Sequence, residues 1–283
     1  PSDTLGFVLP VAAPRTTDPY LSELLTSMTC EAALQGFDLL VSISPAGTEE
    51  NWSYLRLING RRVDGIIISR PRPRDDRIEL LLQKQFPFVV IGTTNIAGDY
   101  LTVSEDEHLG AQLAVEHLIS QGHQNIALVN APAGLFFSLN FRAGFYKAMQ
   151  AAGLPVDERF VVTADGFSQK DGYQMGQTLL SRPQMPTAIV TADDLLALGV
   201  MAAIQDQGLE VGSDVVVTGY GDILLSEYAQ PPLTTIRRPT SALGQHACQM
   251  LTARLRGESV VDTNVVFEPS MVIRQSSDLA LWL

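Results

Sequence analysis

The chain has 283 residues, 46% hydrophobic and 18% charged, which is enough apolar material for a sizeable core in two domains or one large one. Its 19 Lys and Arg against 31 Asp and Glu give a formal net charge of -12, the wrong sign for a surface that neutralises nucleic-acid phosphates. No apolar run approaches the ~20 residues of a membrane-spanning helix, and no charged-then-apolar leader precedes Leu5.

In chain order, the apolar patterning predicts a strand over 5–9, a helix over 20–35, a strand over 38–43, a helix over 49–60, a strand over 64–69, a helix over 75–84 and a strand over 88–92. A short strand over 100–103 and a helix over 105–121 follow, and then the alternation starts again. Its second round has strands over 126–130, 160–163, 188–191 and 215–219, with helices over 139–152, 170–181 and 195–207 between them. Alanine-rich helices stop at Gly36, Gly122, Gly153 and Gly208, each just before an apolar strand, because glycine supplies the positive φ that ends a helix. After "PPLTTIRRP" (231–239) come one long helix over 241–256 and extended segments around 265–267 and 271–274, which must dock on sheets already made. Continuous apolar strands alternating with helices imply an α/β chain with two doubly wound parallel-sheet lobes and ligand space at the carboxyl ends of the strands. The expected lobes are 1–123 with 238–264, and 124–237 with 265–283.

The motifs of catalysis are absent: there is no GxxxxGK[ST], GxSxG, HExxH, CxxC or complete GxGxxG. His108, His117, His123 and His246 have no metal-ligand spacing, so neither a metal nor a cofactor is expected, and no catalytic residue is assigned. Cys30 and Cys248, far apart and both in helical patterns, read as two small core residues of a reduced compartment. The one basic cluster, "SRPRPRDDR" (69–77), reads as a solvated loop and helix start, partly neutralised by Asp75 and Asp76. His123 follows a helix end, where a ring can help satisfy open carbonyls and a positive charge is favoured. Carboxylates stand at strand ends: Asp106, Asp193, Asp194 and Asp222. They read either as helix caps, with Asp194 ahead of "LLALG" and Asp222 ahead of "ILLSEYA", or as acceptors for ligand hydroxyls beside an aromatic cover.

The segments "RRVDGIII" (61–68), "HLISQGHQNIALVNAP" (117–132), "RAGFYKAMQAAGL" (142–154), "PTAIVTADDLLALGVMAAIQDQGLEVGSDVVVTGYGD" (186–222) and "PPLTTIRRP" stand in the order found in LacI/GalR-type bacterial transcriptional regulators, which the chain resembles over nearly its whole length. The resemblance implies a periplasmic-binding-protein-like fold, a small-molecule effector in the cleft, a homodimer, and a cytoplasmic regulator. Effector binding would change the angle between its lobes. A helix-turn-helix domain normally precedes this region and would make the operator contact; nothing before Leu5 can be one. The resemblance also marks the pocket: Asp18 and Tyr20 from "TTDPYLSELL", Asp106 from "VSEDE", Phe167 as a stacking aromatic, and Asp193 where many members carry Asn. For Tyr20 helix-start packing is the competing reading, and for Phe167 core packing. Two positions depart from the family pattern. Phe141 replaces the usual effector-binding arginine, with Arg142 one step out of register, and Gly221 replaces the Asp after "GY", with Asp222 following. The pocket implied is Asp18, Tyr20, Asp106, Phe141, Phe167, Asp193 and Asp222, suited to a neutral carbohydrate or polyol. An extracytoplasmic solute-binding protein would share the fold and would need an export signal upstream; an enzyme with cleft carboxylates has no motif behind it.

Overall fold

A computed structural model of the chain describes residues 2–9, 18–44 and 50–278. The first part of the chain runs β1 (Thr4–Leu9), α1 (Pro19–Leu34), β2 (Asp38–Ile43), α2 (Glu50–Asn59), β3 (Gly65–Ser69), α3 (Asp76–Gln83), β4 (Phe88–Ile91) and β5 (Leu101–Glu105). It continues through α4 (Glu107–Ser120), β6 (Ile126–Asn130), α5 (Phe136–Ala151), β7 (Val161–Thr163), α6 (Gln169–Leu180), β8 (Ala188–Thr191), α7 (Asp194–Asp206) and β9 (Val216–Gly221). The last elements are α8 (Leu224–Tyr228), β10 (Thr234–Arg237), α9 (Thr240–Leu255), β11 (Asn264–Phe267) and β12 (Ser270–Val272). No helix among the described residues is long and apolar enough to cross a membrane.

The strands form two six-stranded sheets, ordered β11-β5-β4-β3-β1-β2 and β12-β10-β9-β8-β6-β7. The two orders are the same once each sheet's strands are numbered within its own unit. All strand pairs are parallel except β10 with β12. Parallel strands need both faces covered, which is why β3, β4, β6 and β8 are buried at every position. In each sheet the order reverses beside its first strand, between β1 and β3 and between β6 and β8, and ligands of open α/β sheets bind outside the carboxyl ends of the strands at such reversals.

The chain divides into two compact units, 1–105 with 239–267 and 106–238 with 268–283. The expected lobe boundaries at 123/124, 237/238 and 264/265 are therefore displaced, and packing gives the reason. Helix α4 lies against α5, β8, β10 and β12 of the second unit, while β11 adds to the edge of the first sheet by pairing with β5. Helix α5 begins three residues before the expected 139. Sequence patterning missed β10, a four-residue strand between proline-bounded turns, and the single-turn α8.

The four helix-to-strand corners share one geometry. Gly36, Gly122, Gly153 and Gly208 have φ of 77°, 92°, 69° and 74°, and the residue after each returns its N–H to a helix carbonyl five positions back, as His123 does to Leu118. A Cβ at any of the four would meet nothing within 4 Å, so the requirement is conformational, not steric. The His123 ring does not serve those carbonyls. Its Nδ1 lies 3.0 Å from Thr187 Oγ1 at the start of β8, and burial holds its pKa below the ordinary value. Since the native ring resists protonation, its contribution to stability is present above the ordinary His range and is lost as pH falls through it. His123→Gln is expected to cost less than about 1 kcal/mol at neutral pH and to flatten that pH dependence; urea titrations at two pH values read both effects.

Of the two cysteines, Cys248 is buried in the core with its thiol pushed up to about 12 by burial. Cys30 is exposed, against expectation, because α1 turns its Leu24, Met28 and Ala32 face inward and leaves position 30 outside.

Candidate functional site

In the first unit the strand-order reversal carries an ion pair. Asp18 is the N-cap of α1, and its Oδ1 accepts the Leu21 N–H at 3.1 Å. Its Oδ2 lies 2.7 Å from the guanidinium of Arg70, which immediately follows β3 in the left-handed region at φ 51°. The same guanidinium stands 5.3 Å from the centre of the Tyr20 ring. Arg70 thus spans from the end of β3 to the start of α1, and Tyr20, only 8% exposed, is both core and the surface on which Arg70 rests. The expectation of a solvated basic loop over 69–77 is corrected here. Arg77 and Asp75 are buried and joined by two hydrogen bonds, and Arg77 also donates to the carbonyls of Ser69 and Arg70, which shapes the turn that presents Arg70.

In the second unit two carboxylates cap helices and a third is buried as a joint between segments. Asp106 caps α4 by accepting the Leu109 N–H. Asp193, two residues beyond β8, caps α7 by accepting the N–H groups of Leu195 and Leu196. Asp194, expected as the cap, is instead fully buried and joins α7 to two other segments. It accepts the Ile223 N–H at 2.9 Å, the Ser226 hydroxyl at 2.7 Å and the Thr235 hydroxyl at 2.5 Å. Burial, and to a lesser extent the charge of Asp222, raise its pKa against those three hydrogen bonds. Gly219 exists to admit this carboxylate, since a Cβ there would collide with Asp194 Oδ1.

The second half of the chain, residues 115–277, matches the family described as periplasmic binding protein-like domain. The HTH-type transcriptional repressor PurR of Actinobacillus pleuropneumoniae is 30% identical over 91% of this chain and 77% of its own length. A regulatory protein of the LacI family from Chloroflexus aggregans superposes with a TM-score of 0.89 at 30% identity, over 98% of this chain and 99% of that one. This chain belongs to the LacI family. A further structure, the transcriptional regulator CelR in complex with cellobiose, has a TM-score of 0.90 at 25% identity, over 97% of this chain and 84% of that one.

Against this LacI-family frame, the structure brings Asp18 and Tyr20 together, around an arginine that sequence reasoning had set aside. Asp106 and Asp193 stand at helix starts, and Phe167 is half-buried against the second unit's core, just ahead of the Ser168 cap of α6. Two of the expected pocket residues are corrected. Phe141 is fully buried, its ring edge-on to Tyr220 at 5.2 Å and 5.5 Å from Phe137, so it builds the core under the site and offers no surface of its own. Asp222, at φ 54°, neither caps α8 nor stands alone: its carboxylate accepts from Arg237 Nε at 2.6 Å and from the Arg274 guanidinium at 2.7 Å. Arg142 does not take the place of the family arginine either, since it pairs with Glu158 and Tyr146 on the exposed face of α5. The residues missed were Arg70, Arg237 and Arg274. Asp194 was named as a strand-end carboxylate and read as a cap, although of two successive aspartates at a helix start only one can be the cap. No cluster of three or more His, Cys, Asp or Glu suited to a metal occurs among the described residues.

Proposed function

We propose that this LacI-family effector-binding domain recognises a neutral carbohydrate or polyol, works in the cytoplasm as a homodimer, and catalyses no reaction. The observation that carries the ligand class is the Asp18–Arg70 pair resting on Tyr20 at the strand-order reversal. The pair has no net charge, yet it offers both carboxylate acceptors and guanidinium donors beside an aromatic ring, which is what hydroxyl-bearing ligands require. A phosphorylated or dicarboxylate ligand would need uncompensated positive charge, and at the strand-order reversal of the first unit the Arg70 guanidinium is already matched by Asp18. The cellobiose bound to CelR supports the same class. The HTH-type relatives favour a regulator over a transporter component. Operator DNA is then contacted through a helix-turn-helix domain outside these residues, in keeping with the net charge of -12. Leu34, Val41 and Ile43, 81%, 44% and 60% exposed along α1 and the edge strand β2, support a partner subunit, and sedimentation reads it.

The test is calorimetric titration with cellobiose and a panel of neutral sugars, polyols and their phosphates. Asp193→Asn retains the α7 cap, since Asn caps as well as Asp, so the expected loss of about 1.5 to 3 kcal/mol in sugar affinity belongs to the lost charge-assisted bond. Arg142→Ala is expected to leave affinity unchanged. Heat from phosphorylated sugars alone would overturn the proposal.

A further inference from the structure

A cavity of about 750 Å³ lies wholly within the second unit. It is lined at one end of α7 by Gln205, and Asp193 caps the other end. Twelve residues of helix at 1.5 Å each separate the two by about 18 Å. The remaining walls come from the turn ahead of β9, through Glu210 and Val211, and from α8 and the segment leading to β10, through Glu227, Tyr228 and Pro231. Its volume falls in the range of small-molecule sites.

The lining has a definite chemistry. It contains two carboxylates, Glu210 and Glu227, and no Lys, Arg or His. Leu209, Val211, Ala229 and two prolines supply an apolar floor, and Tyr228, 71% exposed, presents its ring at the rim. An apolar body is favoured by the floor, a positive charge by the carboxylates and by the face of the tyrosine ring. We propose that this cavity is a second ligand site, for an aromatic organic cation of the aryl-alkylammonium type. Occupancy would be felt at the effector residues, because α8 serves both places: Glu227 and Tyr228 line the cavity while Ser226 between α8 residues donates to Asp194, next to Asp193. The binding claim does not depend on the carbohydrate reading; only this coupling does.

The probe is tryptamine, with indole-3-acetate as its anionic counterpart on the same ring system, titrated by calorimetry into the full chain. Saturable binding of tryptamine below about 1 mM is expected, with no binding of indole-3-acetate. Glu227→Gln and Tyr228→Ala, both at exposed positions and so expected to leave the melting temperature in place, should each weaken tryptamine about fivefold, while Arg142→Ala, on the exposed face of α5, leaves it unchanged. Failure of tryptamine to saturate, equal binding of indole-3-acetate, or an affinity that neither cavity substitution moves would overturn the site. The outcome is independent of whether any sugar binds.

Discussion

Arg77→Met is expected to lower the free energy of unfolding by about 3 to 5 kcal/mol, the cost of removing one partner from a buried ion pair. Asp75 is fully buried and Arg77 is 5% exposed. The guanidinium meets the carboxylate through two hydrogen bonds, Nε to Oδ1 at 2.8 Å and a terminal nitrogen to Oδ2 at 2.7 Å. It also donates to the carbonyls of Ser69 at 3.3 Å and Arg70 at 3.1 Å. Methionine fills much of the volume but leaves a buried anion and two carbonyls without these donors. The pH dependence is signed. Burial pushes the Asp75 carboxyl up, but the hydrogen bonds and charge of Arg77 outweigh it and hold the pKa below the ordinary value. A depressed carboxyl contributes stability that is present above the usual carboxylate range and is lost as pH falls through the folded value. In the variant Arg72 still favours the charged carboxyl, but the larger contribution of the Arg77 guanidinium is gone and burial weighs more, so the deficit relative to wild type should narrow on acidification. Urea unfolding at neutral pH and near about pH 4 measures both; a deficit under 1 kcal/mol at neutral pH, or one that widens in acid, contradicts the account. Because the same guanidinium shapes the turn at Arg70, the effector end of the first sheet should loosen with it.

The architecture was legible because parallel strands and their covering helices impose strong local patterns. Runs such as Gly65–Ser69 and Ile126–Asn130 are buried throughout since both their faces are covered, and each helix-ending glycine directly follows the C-cap residue of its helix. What was not legible depended on partners distant in sequence. Nothing near residue 107 says that α4 packs on α5 and β10, and nothing near 264 says that β11 joins β5; those contacts moved the unit boundaries. The site failed in the same way. Asp18 and Asp193 are readable as carboxylates at helix starts, because capping is local. Their neighbours are not: Arg70 is 52 positions from Asp18, and Asp222 is 15 and 52 positions from the two arginines that hold it. A carboxylate one step from a family position can therefore be taken up by partners distant in sequence, as at Asp222, where two guanidiniums hold a carboxylate that the sequence presented as a ligand acceptor.

Asp194→Ala is expected to cost about 3 to 5 kcal/mol, from two buried donors and one partly buried donor left unpaired and a cavity opened beside Gly219. The donors lie on three segments: Ile223 in the turn after β9, Ser226 on α8, and Thr235 on β10. The carboxylate ties the first turn of α7 to that turn, so without it Asp193 and Asp222 lose a common reference. Asp194→Asn separates charge from shape. The amide keeps one acceptor and resembles the protonated acid, but it cannot titrate. Burial raises the Asp194 carboxyl above its ordinary value, so the native state holds its proton longer than the unfolded chain does. A raised carboxyl contributes stability that is fully present below the unfolded pKa and is lost as pH rises through the folded one. The advantage of wild type over Asp194→Asn should therefore be largest in acid and shrink as pH rises toward neutrality, the opposite trend to Arg77→Met. Chemical denaturation of both proteins across that range decides it: an advantage that grows with pH would mean that the three donors stabilise the charged carboxylate by more than burial costs it, and that Asp194 is ionised throughout.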